Sequence, residues 1–203
     1  GFFSGYVSST AATAGFGKQA QAQPALLPSA VGATMLANLA SLSLFVPILL
    51  AVSPALLSEV RWILLAAAAV LALGAVFGLR RGRTADAPPT AETRMFRIGH
   101  ALGFAAMITA VMVVSKLLGQ WLGPGGALAA TMLAAMAELH SATAGVANLF
   151  RDGMLDAGYA RWAVVGLIAT SSLAKSLVAF GSGGKAFGWR VAIGLMGMTA
   201  AAV

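Results

Sequence analysis

Breaks rich in Pro, Gly and Arg divide the chain into a succession of apolar runs. Each run approaches the ~20 residues a helix needs to cross the hydrocarbon core of a bilayer. Clear candidates are Ser29–Val52, which contains Pro47 and ends at Ser53-Pro54, then Trp62–Leu79, Ile98–Gln120, Ala127–Phe150, Trp162–Phe180 and Trp189–Val203. Gly1–Gly17 is a shorter and more polar candidate, ended by Lys18 and a Gln/Ala/Pro linker that reaches Pro28. The chain is 59% hydrophobic and 9% charged, whereas a soluble domain carries about 25% charged residues. So much apolar surface exceeds what one core of this size can hide. A transmembrane barrel would show short alternating segments instead. The fold expected is all-α: a polytopic transmembrane helical bundle of about seven spans, forming a single domain over residues 1–203.

The net charge of +7 lies mostly between the apolar runs. Five arginines fall in the polar segment Arg80–Arg97, whose prolines argue for a solvated loop. Lys and Arg collect on the cytoplasmic side of spanning helices. With Arg80–Arg97 inside, alternation also puts Lys18 and Arg151–Arg161 inside, and Trp121–Gly126 and Gly181–Gly184 outside. Lys185, Arg190, Glu59 and Arg61 fit that orientation less well. The basic residues are thus read as topology signal and headgroup contact, with no nucleic-acid partner. There are no cysteines, so disulfides and thiolate metal sites are excluded. No signal peptide is evident at Gly1, which opens directly into an apolar segment, as expected of a chain that begins inside a longer or processed protein.

Two hydroxyl-rich stretches share an ending. "YVSSTAATAG" (Tyr6–Gly15) and "LHSATAG" (Leu139–Gly145) both close on Ala-Thr-Ala-Gly. Aligning them sets Ser8 opposite Glu138 and Thr10 opposite His140. Past a longer loop in the second copy, Gly32 meets Gly166 and Asn38–Leu42 meets Ser172–Ser176. The pattern predicts an internal three-helix repeat: one copy over 1–80, a cytoplasmic loop over 80–97, a connector helix over 98–120, and the second copy over 126–203. Repeats of this kind are common in transporters, with sites near the midplane at the repeat interface. Three spans plus a connector imply parallel copies. Inverted copies follow instead if Gly1–Gly17 does not cross.

Glu138 is the only acid within a span, and an intramembrane charge is a functional-site hypothesis by default. On a continuous helix, Thr131, Glu138, Ser141, Gly145 and Asn148 share one stripe, while His140 and Thr143 face roughly the other way. Ser141, Thr143, Thr13 and Gly15 are also the residues that let transmembrane helices pack closely and hydrogen-bond across. His140 suits either an interhelical hydrogen bond or a proton-transfer role, since histidine titrates near neutral pH. Lys175 and Lys116 lie near the outer ends of their spans, where their stems can snorkel to the headgroups or line a positive vestibule. Ser171, Ser172 and Lys175 form one stripe; Thr34, Asn38 and Ser41 form its counterpart in the second span.

No catalytic set can be read, neither a metalloprotease pair, nor a phosphate-binding glycine loop, nor a Ser-His-Asp arrangement, so an enzyme is not expected. With two histidines in the chain, a histidine metal cage is not expected either, and no cofactor is implied. The nine methionines read mostly as apolar filler, although one or two placed in a pore would favour soft solutes.

"GYVSSTAATAG", "AMAELHSATAGVANLF" and "IATSSLAKSLVAF" resemble three signature regions of the domain-of-unknown-function family 4010, membrane proteins that occur alone or behind an MgtC/SapB-type domain. The resemblance covers essentially the whole chain, and the Ser-Ser-Thr-Ala element is its most specific part. In that family the fifth-span motif reads like Ala-Asp-Val-Asp-Ala-Ala-Thr. Here it is Ala137-Glu138-Leu139-His140-Ser141-Ala142-Thr143, keeping one acid and replacing the other with His140. The family's Asn-Thr-Leu-x-Lys motif matches Ser171–Lys175, which keeps the lysine and loses the asparagine. The missing acid weakens a divalent-cation reading and leaves room for an oxyanion. The resemblance implies transport, with export of selenite by homodimers in a bacterial inner membrane as the particular expectation. The expected pathway runs between the first and fifth helices. Ser8, Ser9, Thr10 and Thr13 would offer hydroxyls, Glu138 and His140 an ionisable pair, and Ser141, Thr143, Asn38, Ser172 and Lys175 further contacts. A divalent or soft metal cation or a neutral amino acid, held by Glu138, or a non-transporting membrane scaffold, are the competing expectations.

Overall fold

A computed structural model of the chain describes residues 2–82, 126, 129, 131–136 and 138–203. The expected loop over Arg83–Arg97, the connector span Ile98–Gln120 with Lys116, and the turn Trp121–Gly125 lie outside the described residues. The described residues are helical apart from short turns. Helix α1 is Phe2–Ala22, followed by a single 3-10 turn at Pro24–Leu26; α2 is Leu27–Ser43, α3 Phe45–Val52, α4 Pro54–Gly82, α5 Leu139–Arg151 and α6 Ala157–Ala201. Among the described residues, three stretches are long and apolar enough to cross a membrane: Pro24–Val52, Pro54–Gly82 and Ala157–Ala201.

Proline sets several of these boundaries. It lacks an N–H, and its ring clashes with the carbonyl four residues back, so it is tolerated only in a helix's first turn. Pro28 and Pro54 occupy first turns of α2 and α4. Ser53 caps α4, its Oγ accepting from Leu56 N at 3.4 Å. Pro47 clashes with the Ser43 carbonyl, and the expected second span is accordingly split between Ser43 and Phe45. The expected first span runs on through the Gln/Ala linker to Ala22 rather than stopping at Gly17.

The expected sixth and seventh spans form one helical run, α6, interrupted at Gly184 (φ 71°, ψ −174°). That conformation is accessible essentially to glycine alone. The chain reverses there: Thr199 Oγ1 lies 3.2 Å from Ser172 Oγ, two residues that a straight helix at 1.5 Å per residue would hold about 40 Å apart. Phe180 and Trp189 meet edge to face across the bend, with ring centroids 5.6 Å apart.

The described residues fall into two compact units. One takes residues 2–44, 62–82 and 172–203. Its α2 and α4 run antiparallel at backbone-contact distance. A Cβ on Gly78 would lie 2.6 Å from Gly32 Cα, and one on Gly82 would lie 2.6 Å from Ser29 Cβ. The other unit takes residues 45–61 and the described residues of 126–171. There α3 packs on α5, and the exposed Arg161 guanidinium lies 3.9 Å from Glu59.

Candidate functional site

The expected fifth span is not one helix. Glu138 has extended backbone (φ −146°, ψ 109°), and α5 starts after it. A Cβ on Gly145 would lie 3.2 Å from Thr131 Cγ2, although a straight helix would separate these residues by about 20 Å. The chain therefore folds back at Glu138, and the single stripe expected through Thr131, Glu138 and Gly145 becomes a contact across a bend. The cause is visible in the side chain. Glu138 Oε1 accepts from His140 N at 2.9 Å, and Oε2 accepts from Ser141 N. Oε1 also lies 2.7 Å from His140 Nδ1. A helix start leaves N–H groups without intrahelical partners, and a carboxylate there satisfies them and complements the helix dipole. His140, expected opposite Glu138, is drawn against it instead.

Ser8 sits at a similar break in α1, also extended (φ −167°, ψ 109°). Its Oγ accepts from Ala11 N at 3.1 Å. Thr13 donates to the Ser9 carbonyl at 2.7 Å, and Thr143 to the Leu139 carbonyl at 2.8 Å. Both threonines are fully buried. Their protons are committed to their own helices, the usual way a buried hydroxyl is satisfied in apolar surroundings. Thr10 and Ser141 are half-buried, and Ser9 is buried.

The first unit contains a closed ring of four helical segments. A Cβ on Gly5 of α1 would meet the Ala37 backbone of α2. Met35 of α2 meets Gly194, in residues 185–201. That limb meets residues 172–183 through Thr199 and Ser172. Those residues return to α1 where Gly17 meets Ser182 and Gly183. Helical geometry fixes what faces inward. At about 100° per residue, Thr34, Asn38 and Ser41 occupy the arc of α2 between the side given to α1 and the side given to residues 185–201. By the same count Lys175 lies between Ser172, which touches residues 185–201, and Ser182, which touches α1. Depth agrees as well. Gly74 of α4 meets Met35, and Gly197 meets Val70, one turn from Gly74. Residues 185–201 therefore run alongside α2 in the same direction, and Thr199 comes level with Asn38–Ser41. Ser172 lies with Thr199, and Lys175, just under a turn back toward Gly184, comes level with Asn38.

Thr34, Asn38, Ser41, Ser172 and Lys175 are all buried, as is Ser176 one turn beyond Ser172. Thr34 donates to the Ala30 carbonyl and Ser176 to the Ser172 carbonyl. Asn38 Nδ2 donates to the Thr34 carbonyl at 2.9 Å. A carbonyl only accepts, so this bond fixes the amide orientation. Asn38 Oδ1 then points away, and it is the one buried side-chain polar atom among the described residues without a hydrogen-bond partner. The sequence had singled out both stripes but had not joined them. Thr199, which bonds Ser172, reads in sequence as an ordinary residue of an apolar run. Among the described residues no three His, Asp or Glu side chains gather as a metal site.

These features define a class: a protein whose described residues are helical, with helices long and apolar enough to cross a membrane, interrupted at Ser8, Glu138 and Gly184, and with buried polar residues in one unit. The chain belongs to the domain-of-unknown-function family DUF4010, whose model matches residues 1–183. No curated protein and no solved structure matches it.

Proposed function

We propose that this chain is a bacterial inner-membrane transporter or channel for a small inorganic ion, an oxyanion such as selenite first, built from two three-helix repeats in about seven spans. The observation that carries the reading is the pair of helix breaks at Ser8 and Glu138. In a chain this apolar, backbone that leaves the helix is tolerated only where it is buried in protein or lines a cavity, and interrupted helices hold ions in transporters. The two breaks also favour the repeat. Ser8 and Glu138 are aligned, both are extended, both cap the helix that follows, and the aligned Thr13 and Thr143 make the same bond five residues on.

The preference for an anion is supported by Lys175, a buried lysine of the first unit. It speaks against a snorkelling role, which would leave the ammonium exposed. Glu138 is a poor cation ligand because both carboxylate oxygens already serve its own helix. In proteoliposomes, purified protein should pass selenite and not rubidium, and Lys175→Ala should cut selenite flux by about tenfold or more, as loss of a desolvated charge contact does. Passage of rubidium but not selenite would reverse the sign of the proposal. Passage of neither would sink it.

A further inference from the structure

The exposed charge of the first unit gathers at one of its ends. Lys18, Arg80, Arg81, Lys185 and Arg190 are all exposed, and none of the unit's described residues is Asp or Glu. Helix contacts set the level of each cation along α2. A Cβ on Gly82 would meet Ser29 and one on Gly78 would meet Gly32, which brings Arg80 and Arg81 beside the first two turns of α2. Gly194 meets Met35, and residues 185–201 run in the direction of α2. Counting back at 1.5 Å per residue, Arg190 comes about level with Val31 and Lys185 with Leu26. Gly17 meets Ser182 and Gly183, so Lys18 joins them. All five cations therefore leave their helices within a band about 10 Å deep. Trp189 is exposed at the same depth, and tryptophan at such a level marks the boundary between acyl chains and headgroups. The Arg81 guanidinium stands 3.9 Å over the exposed Phe77 ring, a posture suited to a cation at the edge of an apolar surface. The unit's remaining cation, Lys175, is buried, so its other end presents no exposed charge among the described residues.

We propose that this basic end is a docking surface for the anionic phospholipid headgroups of the cytoplasmic leaflet, which places the turn at Gly184 on the same side of the membrane as Arg80 and Arg81. Charge complementarity selects the partner, because an anionic leaflet attracts Lys and Arg held near its surface. Alternation over seven crossings puts Gly181–Gly184 on the face opposite Lys18 and Arg80; the contact of Gly17 with Gly183 puts them together. The fold-back at Glu138 accounts for the difference. Thr131 and Gly145 meet across it, so the fifth run leaves by the face it enters. The expected connector and the first limb of α6 then make two crossings between Gly82 and Gly184, an even number that returns the chain to the face of Arg80. Residues Arg151–Arg161 fall on the other face, where two arginines and two aspartates balance. The inference goes beyond the transport reading, does not depend on it, and lowers the number of full crossings by one.

Two measurements on the full chain test it. In detergent, phosphatidylglycerol and phosphatidylcholine are titrated against the purified protein and bound lipid is read by native mass spectrometry. Wild-type protein should hold phosphatidylglycerol at least about tenfold more tightly. Lys185→Gln with Arg190→Gln should weaken it roughly twentyfold, about fivefold for each cation removed. Lys185→Arg with Arg190→Lys should keep the affinity. Arg151→Gln, whose charge Asp152 offsets at 3.3 Å, should stay within about twofold of wild type. Equal affinity for the two lipids, an unchanged affinity in the double glutamine variant, or displacement of the lipid by inorganic phosphate would overturn the docking surface, the last by marking a free-ion site instead. In cells, Lys185→Cys should react with an impermeant maleimide only after the membrane is opened, and Met154→Cys while it is intact. Labelling of Lys185→Cys in intact cells would overturn the cytoplasmic placement whether or not the lipid binds. If the double glutamine variant does not fold, the wild-type lipid preference and this labelling still decide.

Discussion

A carboxylate at a helix start gains twice, from the N–H groups it accepts and from the dipole it faces, and Glu138 takes both gains while touching the His140 ring. Its composition within an apolar run marked it as functional from sequence. What sequence could not supply was that the helix stops there, because Ala-Glu-Leu-His has ordinary helix propensity and the competing cap is formed by the side chain itself. Glu138→Ala should cost about 1–2 kcal/mol, the usual loss of an N-cap, read as a lower melting temperature in detergent. Glu138→Asp, also a good cap, should lose less. Equal melting temperatures for all three proteins would show that the carboxylate does not hold the bend. Asn38 poses the opposite case, an amide half satisfied and half not. Its stripe was legible at helical spacing. Its partnering was not, since that depends on which neighbour each arc of α2 meets.

At the scale of elements, proline and glycine explain what periodicity missed. Pro47 splits the second span because its ring displaces the Ser43 carbonyl, and Gly184 folds one apolar run into two limbs through a positive φ. The sequence reading had placed a polar closing turn at Gly181–Gly184, which locates the reversal correctly, but the helix continues through most of it. Gly184→Ala should be destabilising by about 1–3 kcal/mol, the cost of a side chain in that backbone region, and should reduce the melting temperature. The glycines of α2 and α4 act through space instead. A Cβ on Gly32 would lie 2.7 Å from Leu79 N and 3.0 Å from Ala75 O, backbone atoms that cannot swing aside. Gly32→Leu should force the two helices apart, by analogy with core overpacking at about 1–3 kcal/mol or more. Gly15→Leu has nothing within 4 Å of its Cβ and should be tolerated. Size-exclusion profiles of the two variants check the contrast: a monodisperse Gly32→Leu would contradict the packing described.

For the whole molecule, composition and run length point to a helical membrane protein; the described residues are helical, and three of their stretches are long and apolar enough to cross a membrane. The seven-span count was less legible, because α1 mixes hydroxyls and glutamines into its length and α5, at 13 residues, covers only about 20 Å of a ~30 Å core. The orientation drawn from the five arginines of Arg80–Arg97 can be read directly, since the chain has no cysteine of its own. A cysteine at Ala85 should react with an impermeant maleimide only after the membrane is opened, and one at Gly123 in intact cells. The reverse pattern would invert the topology, and equal labelling would remove the connector span between them. Transport itself is tested most directly by selenite flux into proteoliposomes of wild-type and Lys175→Ala protein, side by side with rubidium. The account predicts selenite passage, no rubidium passage, and a fall of about tenfold or more in the variant. Selenite flux no greater than in protein-free vesicles would contradict it.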